Sequence, residues 1–336
     1  MHAVYILARR RISTTFYETK VGLMYLKIED KSTMITDIII PLTASSLFAT
    51  IKGMRYTKKQ FEAEYPNDDA CLEAVFQNRF GDLKFCPRCA AETTFYRVKK
   101  RQCYACQWCS YQLFPLAGTI FRKTTTPLKD WFYAVYLFSV SKNGVSAKEL
   151  ERHLGVTYKT AWRMCKQIRL LMAQEAEKLS GEVEVDETYI GGRHKRRFGN
   201  SKKQVVFGMV ERNGQARARQ VKSSGSRVLL PEIRQNLLIG TKILSDEYAP
   251  YKAVTDMGLQ YSHTTVNHSK LEYVRGTAHT NTIEGFWSQL KRSIDGTYHA
   301  VSPKYLQTYL DEFVFHYNFR DVAVCPVLLE RAAKLS

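Results

Sequence analysis

Apolar positions change their spacing twice along the chain, and each change marks a new kind of element. Phe61, Tyr65, Cys71, Leu72, Val75 and Phe76 recur at roughly helical intervals up to Gly81, which predicts a helical lead-in over residues 57–79. Further on, the spacing predicts two or three helices: an aromatic one with Trp131, Phe132, Tyr133, Tyr136 and Phe138, then 146–154, then 157–171. After Gly181 the apolar residues alternate in GEVEVDETYIGG, QVVFGMVE and TKILSDEY, the signature of strands, and helical spacing returns from Asn281. Strands followed by helices predict an α+β or α/β domain there. Residues 1–55 show no sustained period and carry no chemical motif.

A length of 336 residues, 45% of them hydrophobic, implies two or three domains. Against 32 acidic residues stand 50 Lys and Arg, a formal charge of +18. That balance favours a polyanion, nucleic acid before an anionic membrane surface. A membrane span is not expected: residues 34–51 are interrupted by Asp37 and Pro41, and 131–140 is too short. In MHAVYILARRR the basic cluster follows the apolar run, the reverse of a secretory signal, so a cytoplasmic protein is expected. Five of the eight cysteines crowd between Cys86 and Cys109, which reads as metal binding in a reducing compartment rather than a disulfide framework.

Cys86-Pro-Arg-Cys89 and Cys106-Gln-Trp-Cys109 are two C-x-x-C knuckles separated by 16 residues. At that spacing four thiolates can close a tetrahedron around zinc, a structural site with no position left for water. Cys103 forms a competing pair with Cys106; the later register is preferred because Tyr111, Leu113 and Phe114 follow it as a packing strand. Ser146-Ala-Lys-Glu149 has the form of a capping box, Gly155 ends that helix, and Thr157 caps a second. On the second helix Tyr158, Lys159, Thr160 and Arg163 are expected to point outward while Ala161, Trp162 and Ile168 pack, the layout of a DNA-reading helix-turn-helix.

Three acids stand out for their setting. Asp186 closes the strand VEVD, with Glu182 and Glu184 on the same face; Asp246 ends the short strand ILS; Glu284 lies in the helical segment TNTIEGFWSQLKR. Two strand-end aspartates and a helical glutamate can share two magnesium or manganese ions, one activating an attacking hydroxyl and one steadying a leaving oxygen. Asn281, at i−3 from Glu284, is the alternative third ligand through its amide oxygen. Lys291 lies two turns beyond Glu284 on the same face, followed by Arg292, and can grip a phosphate. His263, His268, His279 and His299 are further candidates for phosphate contact. The basic residues 193–203 read as a solvated loop.

Taken in order, CPRC, CQWCSYQLFPLAGTIF, PLKDWFYAVY, VEVDETYIGG, LSDEYAPY, HTNTIEGFWSQLKR and DGTYHAVSPKYLQTYLDEFVFHYNFR resemble bacterial insertion-sequence transposases with an N-terminal zinc ribbon, relatives of the Merlin transposases. The resemblance runs from about residue 60 to 322. It implies a ribonuclease-H-like catalytic fold whose Asp-Asp-Glu triad falls on Asp186, Asp246 and Glu284, with Asn281 as third residue in some branches. Glu312 and Arg320 fit the closing Glu-Arg-Arg pattern, but His316 stands where the middle arginine belongs.

The expected organisation is an N-terminal extension (1–55), helical lead-in (56–82), zinc ribbon (83–118), helix-turn-helix region (125–176) and catalytic domain (180–325). The expected function is that of a DNA transposase, nucleoid-associated, binding double-stranded transposon ends and target DNA as a homo-oligomer. Metal-dependent hydrolysis and strand transfer would be its reactions. A nuclease without strand transfer and a transposase-derived DNA-binding regulator are the alternatives.

Overall fold

A computed structural model describes strands Ser13–Glu18 (β1), Leu23–Glu29 (β2) and Ile38–Pro41 (β3), together with residues 56–334 except 175–176, 192–202, 247, 253, 255–260 and 266–278. The basic stretch 193–203, apart from Lys203, and His268 lie outside the described residues. The chain divides into two compact units, residues 1–55 with 321–323, and residues 56–320 with 324–336. In the first, β1, β2 and β3 form an antiparallel sheet with Ser13 opposite Glu29 and Leu23 opposite Pro41.

In the second unit the lead-in is two helices, Lys58–Glu64 (α1) and Asp68–Phe80 (α2), rather than one. Pro66 disfavours helical backbone at Tyr65, and the Asn67 side chain then caps α2 by accepting from the Ala70 amide at 2.9 Å. Strands Phe95–Arg97 (β4), Tyr104–Cys106 (β5) and Gln112–Leu113 (β6) make a small antiparallel sheet. Helices Leu128–Val140 (α3), Ala147–Leu154 (α4) and Tyr158–Leu171 (α5) follow. One apolar core joins all of these: Phe61, Phe76, Tyr104, Trp131, Ile168 and, from the last helix of the chain, Leu328 are buried together.

A second, five-stranded sheet is built from Glu182–Ile190 (β7), Gln204–Glu211 (β8), Ala216–Val221 (β9), Lys242–Ser245 (β10) and Ser262–Thr265 (β11). Its order is β11-β10-β7-β8-β9; β7, β8 and β9 are antiparallel, whereas β10 and β11 run parallel to β7. Strand alternation gives each face its own core. Val206, Val210, Ala216 and Ala218 pack under Asn281–Ser293 (α8) and Leu306–Asn318 (α9); Val183, Val185, Phe207 and Met209 pack under Ser226–Asn236 (α6). The short helix Ala249–Lys252 (α7) follows β10, a π turn, Ile294–Tyr298, follows α8, and Val324–Lys334 (α10) closes the chain. Among the described residues no helix is long and apolar enough to cross a membrane.

Candidate active site

The two cysteine knuckles share one backbone design. Ala90 donates its amide to the Cys86 carbonyl at 2.9 Å and Ser110 to that of Cys106 at 3.0 Å, and both donors adopt left-handed backbone, at φ 56° and 57°. Those turns point the Arg88 and Trp108 amides at the sulfurs of Cys86 and Cys106, each 3.4 Å away. The four sulfurs of Cys86, Cys89, Cys106 and Cys109 lie within 4.8 Å of one another, close enough for one tetrahedral zinc. Burial opposes ionisation of Cys106, but hydrogen bonds from Thr93 and from the Cys109 and Trp108 amides outweigh it and bring the thiol to about 6. Cys103 is buried and is not among the four clustered sulfurs, which are those of the later register.

Helices α4 and α5 meet at a tight corner. Ser146 Oγ accepts from the Glu149 amide at 3.2 Å, Gly155 takes left-handed backbone at φ 65°, and Thr157 Oγ1 accepts from the Thr160 amide at 3.4 Å. The return bond of a capping box, from Glu149 to Ser146, is absent among the described residues. On α5, Ala161, Met164, Cys165 and Ile168 are buried, while Lys159 and Arg163 are exposed and Thr160 is half-exposed, its hydroxyl 3.0 Å from that of Thr157. Trp162 is not in the core: it is half-exposed and meets Tyr305 edge-on at 5.5 Å. At the other end of α5 the buried Arg169 donates to Glu312 of α9 at 2.8 Å and to the Val145 carbonyl at 2.9 Å. Tyr298 donates to the same carboxylate at 2.8 Å. Glu312 is therefore an anchor between helices. His316, one turn on, is half-buried; its Nε2 is enclosed and has no hydrogen-bond partner among the described residues, and burial lowers its pKa.

The carboxylates are set by register. Leu244 of β10 pairs with Glu184 of β7 in parallel, so two residues further along the neighbouring strands Asp246 follows beside Asp186. Asp186 is pushed up to about 7, first by burial and then by the charges of Glu187 and Asp246. A hydrogen bond from Trp287 Nε1, 2.9 Å from Asp186 Oδ2, offsets part of this. The indole reaches Asp186 by lying over Gly208, the residue opposite Asp186 on β8; a Cβ there would collide with the ring. Asp246 also accepts from the Tyr248 amide at 3.1 Å, which turns the chain out of β10.

Helix α8 presents Glu284 in its first turn, one turn before Trp287, with Asn281 at its first position. Both are exposed, and Thr280 Oγ1 donates to Glu284 at 3.0 Å. The structure brings Asp186 and Asp246 together. Glu284 enters from the same helix that covers Asp186, but among the described residues only the cysteines form a group of three or more ligands within 4.8 Å. Lys291 and Arg292 are exposed in the last turn of α8. His263 Nε2 lies 2.9 Å from Ser245 Oγ, next to Asp246, and His299 Nδ1 lies 2.9 Å from the Asp295 carbonyl.

Two supporting residues escaped the sequence reading. Glu184 is fully buried and accepts from the Ile283 amide at 3.0 Å, Thr282 Oγ1 at 2.9 Å and Arg212 Nε at 3.0 Å. It caps the start of α8 from the sheet and so fixes where Glu284 sits. Alternation had put Glu184 on the Asp186 face; its burial was the missing signal. Glu187 receives the Tyr251 hydroxyl at 2.6 Å.

Comparison with known proteins agrees with this architecture. Residues 178–318 match the ISXO2-like transposase domain family, and residues 66–112 match the transposase zinc-ribbon domain family. A protein of the transposable element ISH50 from Halobacterium salinarum is 29% identical over 264 residues, covering 70% of this chain and 86% of that protein. A cryo-EM structure of a simian T-cell lymphotropic virus intasome with a PP2A regulatory subunit aligns at 16% identity and a TM-score of 0.27, over 54% of this chain and 65% of that one. That likeness is too slight to bear on the fold. With a zinc ribbon and an ISXO2-like domain in order on one chain, the protein belongs to the zinc-ribbon transposases of insertion sequences.

Proposed function

We propose that the protein binds double-stranded DNA at transposon ends and at the target, hydrolyses a phosphodiester at each end, and joins the freed 3′-hydroxyl to target DNA. The observation that carries this is the pairing of Asp186 and Asp246 on adjacent parallel strands, beneath a helix that presents Glu284. Three antiparallel strands continued by two parallel ones, with helices on both faces, support a ribonuclease-H-like reading of the domain. We read its limits as 180–325, after a lead-in (56–82), a zinc ribbon (83–118) and a helix-turn-helix region (125–176).

The carboxylates suit magnesium or manganese. Asp186, Glu187 and Asp246 crowd negative charge into a half-buried site, and the indole N–H of Trp287 is a weak counterweight. Oxygen donors of this kind are what hard divalent ions take. Asp186, Asp246 and Glu284 would hold the ions, with Asn281 as the alternative third ligand; bound there, the metal supplies an activated hydroxyl and charge for the leaving oxygen. Glu184 and Trp287 hold α8 in register with the aspartates. Lys291 and Arg292, further along α8, are poised for the phosphate backbone, and Lys159, Thr160 and Arg163 on α5 for the major groove. The net charge of +18 suits the same partner. Zinc in the ribbon is structural in this reading, synapsis of two ends calls for a homo-oligomer, and the protein acts at the nucleoid.

The test is cleavage and strand transfer on DNA carrying the element's ends, with magnesium, for wild type and for Asp186→Asn, Asp246→Asn, Glu284→Gln and Asn281→Ala. Loss in the three acid variants with survival of Asn281→Ala supports the triad. Survival of Glu284→Gln with loss in Asn281→Ala moves the third ligand to Asn281. Cleavage without joining would make the protein a nuclease, and binding without either reaction would make it a regulator.

A further inference from the structure

The motif DGTYHA has no role in the reading above, yet it walls a cleft of about 750 Å³. The π turn after α8 and the loop beyond it, carrying Gly296, Tyr298 and His299, form one side; the starts of α4 and α5 form the other. The two sides are pressed together. Gly144 takes φ 84°, and a Cβ on it would collide with the Tyr298 hydroxyl. Asn143, also in the wall, is fixed by the Ser293 hydroxyl at 3.2 Å.

The lining combines aromatic rings with positive charge. Tyr158 and Trp162, one turn apart on α5, are exposed and half-exposed, and Lys148 Nζ sits 4.9 Å over the Tyr158 ring. Lys142 and Arg152 are exposed and make no ion pair among the described residues. Glu149 is the one carboxylate among the lining residues. Rings that can stack on a base, beside cations that can hold a phosphate, are the recognition chemistry of an unstacked nucleotide. The volume lies in the usual range of small-ligand pockets, about 300–1,000 Å³, and a duplex does not enter such a space.

We propose that this cleft receives one unpaired nucleotide of the bound DNA, its base against Trp162 and Tyr158 and its phosphate among Lys142, Lys148 and Arg152. The proposal rests on the DNA-binding reading above. The position of the nucleotide follows from α8. Ten residues separate Glu284 from Ile294, where the π turn begins, about 15 Å of helix. At about 3.4 Å per nucleotide along a strand, the unstacked residue lies within about five nucleotides of the cut phosphate.

The experiment is equilibrium binding of the full-length, zinc-loaded protein, without magnesium, to duplexes of the element's end. One fully paired duplex is compared with five that carry a single mismatch, at each of the five positions next to the cleavage site. A mismatch removes the cost of unpairing, so it should tighten binding about tenfold at one position and leave the others unchanged. Trp162→Ala and Tyr158→Ala should abolish that gain, and Trp162→Phe should restore it. Binding of the paired duplex reports that each variant is folded. Indifference to every mismatch, or a gain that persists in both alanine variants, overturns the cleft but leaves the DNA-binding reading intact. Failure to bind any duplex overturns both.

Discussion

Replacing Asp186 by Asn should stabilise the protein in the absence of divalent metal, although it removes a group proposed to be essential for the reaction. Burial and the charges of Glu187 and Asp246 push Asp186 from 3.8 to about 7. The folded protein therefore binds a proton here between about pH 4 and 7 that the unfolded chain releases. Stability from this group is complete below about pH 4, falls as the pH rises towards 7, and is lost above it. A gap of about three pKa units at 1.36 kcal/mol each sets a ceiling of about 4 kcal/mol, and partial solvent access argues for about 2 kcal/mol. Asn keeps an oxygen for the Trp287 N–H, carries no charge, and escapes the penalty. Urea unfolding with chelator present should show Asp186→Asn about 2 kcal/mol more stable than wild type at pH 8 and equal to it at pH 4. Magnesium at pH 8 should raise wild type and leave the variant unchanged. An equal gain at both pH values would refute the electrostatic reasoning, and so would a loss at pH 8.

Other perturbations test the supports around the site. Cys86→Ser or Cys109→Ser should abolish stoichiometric zinc by metal analysis and loosen the ribbon, whereas Cys103→Ser should retain the metal. Arg169→Met should cost about 3–5 kcal/mol in denaturant unfolding, because it strands Glu312 in a buried site, and adding Glu312→Gln should recover part of the loss. Gly208→Ala should force Trp287 off Asp186, lowering stability by about 1–3 kcal/mol and quenching cleavage, with a shift in Trp fluorescence as the direct sign. DNA affinity should fall steeply with salt, in proportion to the phosphates neutralised; a flat salt series would remove the electrostatic basis for binding.

Much of the local structure was legible because its causes are local. Ser146, Gly155 and Thr157 carry cap chemistry in their own side chains or backbone freedom, and the knuckle spacing alone brings four sulfurs to one point. The strands lie where alternation predicted them, and Asp246 directly follows the end of β10, but Asp186 does not close its strand: β7 runs on to Ile190 because its pairing with β8 continues past Asp186. What periodicity does not encode is the partner across the fold. Glu184 meets Ile283 across 99 residues and Arg169 meets Glu312 across 143, so nothing near either residue announces its role. Trp162 reads as core from helical spacing, yet its face turns to Tyr305 and the cleft. The N-terminal sheet was missed because short strands among scattered charges give no sustained alternation.

The last helix, α10, belongs to the core of the front half, where Val324, Cys325, Leu328 and Ala332 are buried with residues of α1 to α5. A ribosome delivers those residues only after the whole five-stranded sheet. The zinc knuckles can close as soon as Cys109 emerges, but the helices behind them wait, with apolar surface uncovered, while the whole five-stranded sheet is being synthesised. The front half thus becomes complete only after the carboxylate-bearing half has been made, and a chain cut short before residue 324 would leave it without one wall. Order of synthesis and order of folding run in opposite directions here, so that a completed front-half core implies that the carboxylate-bearing half has already been synthesised.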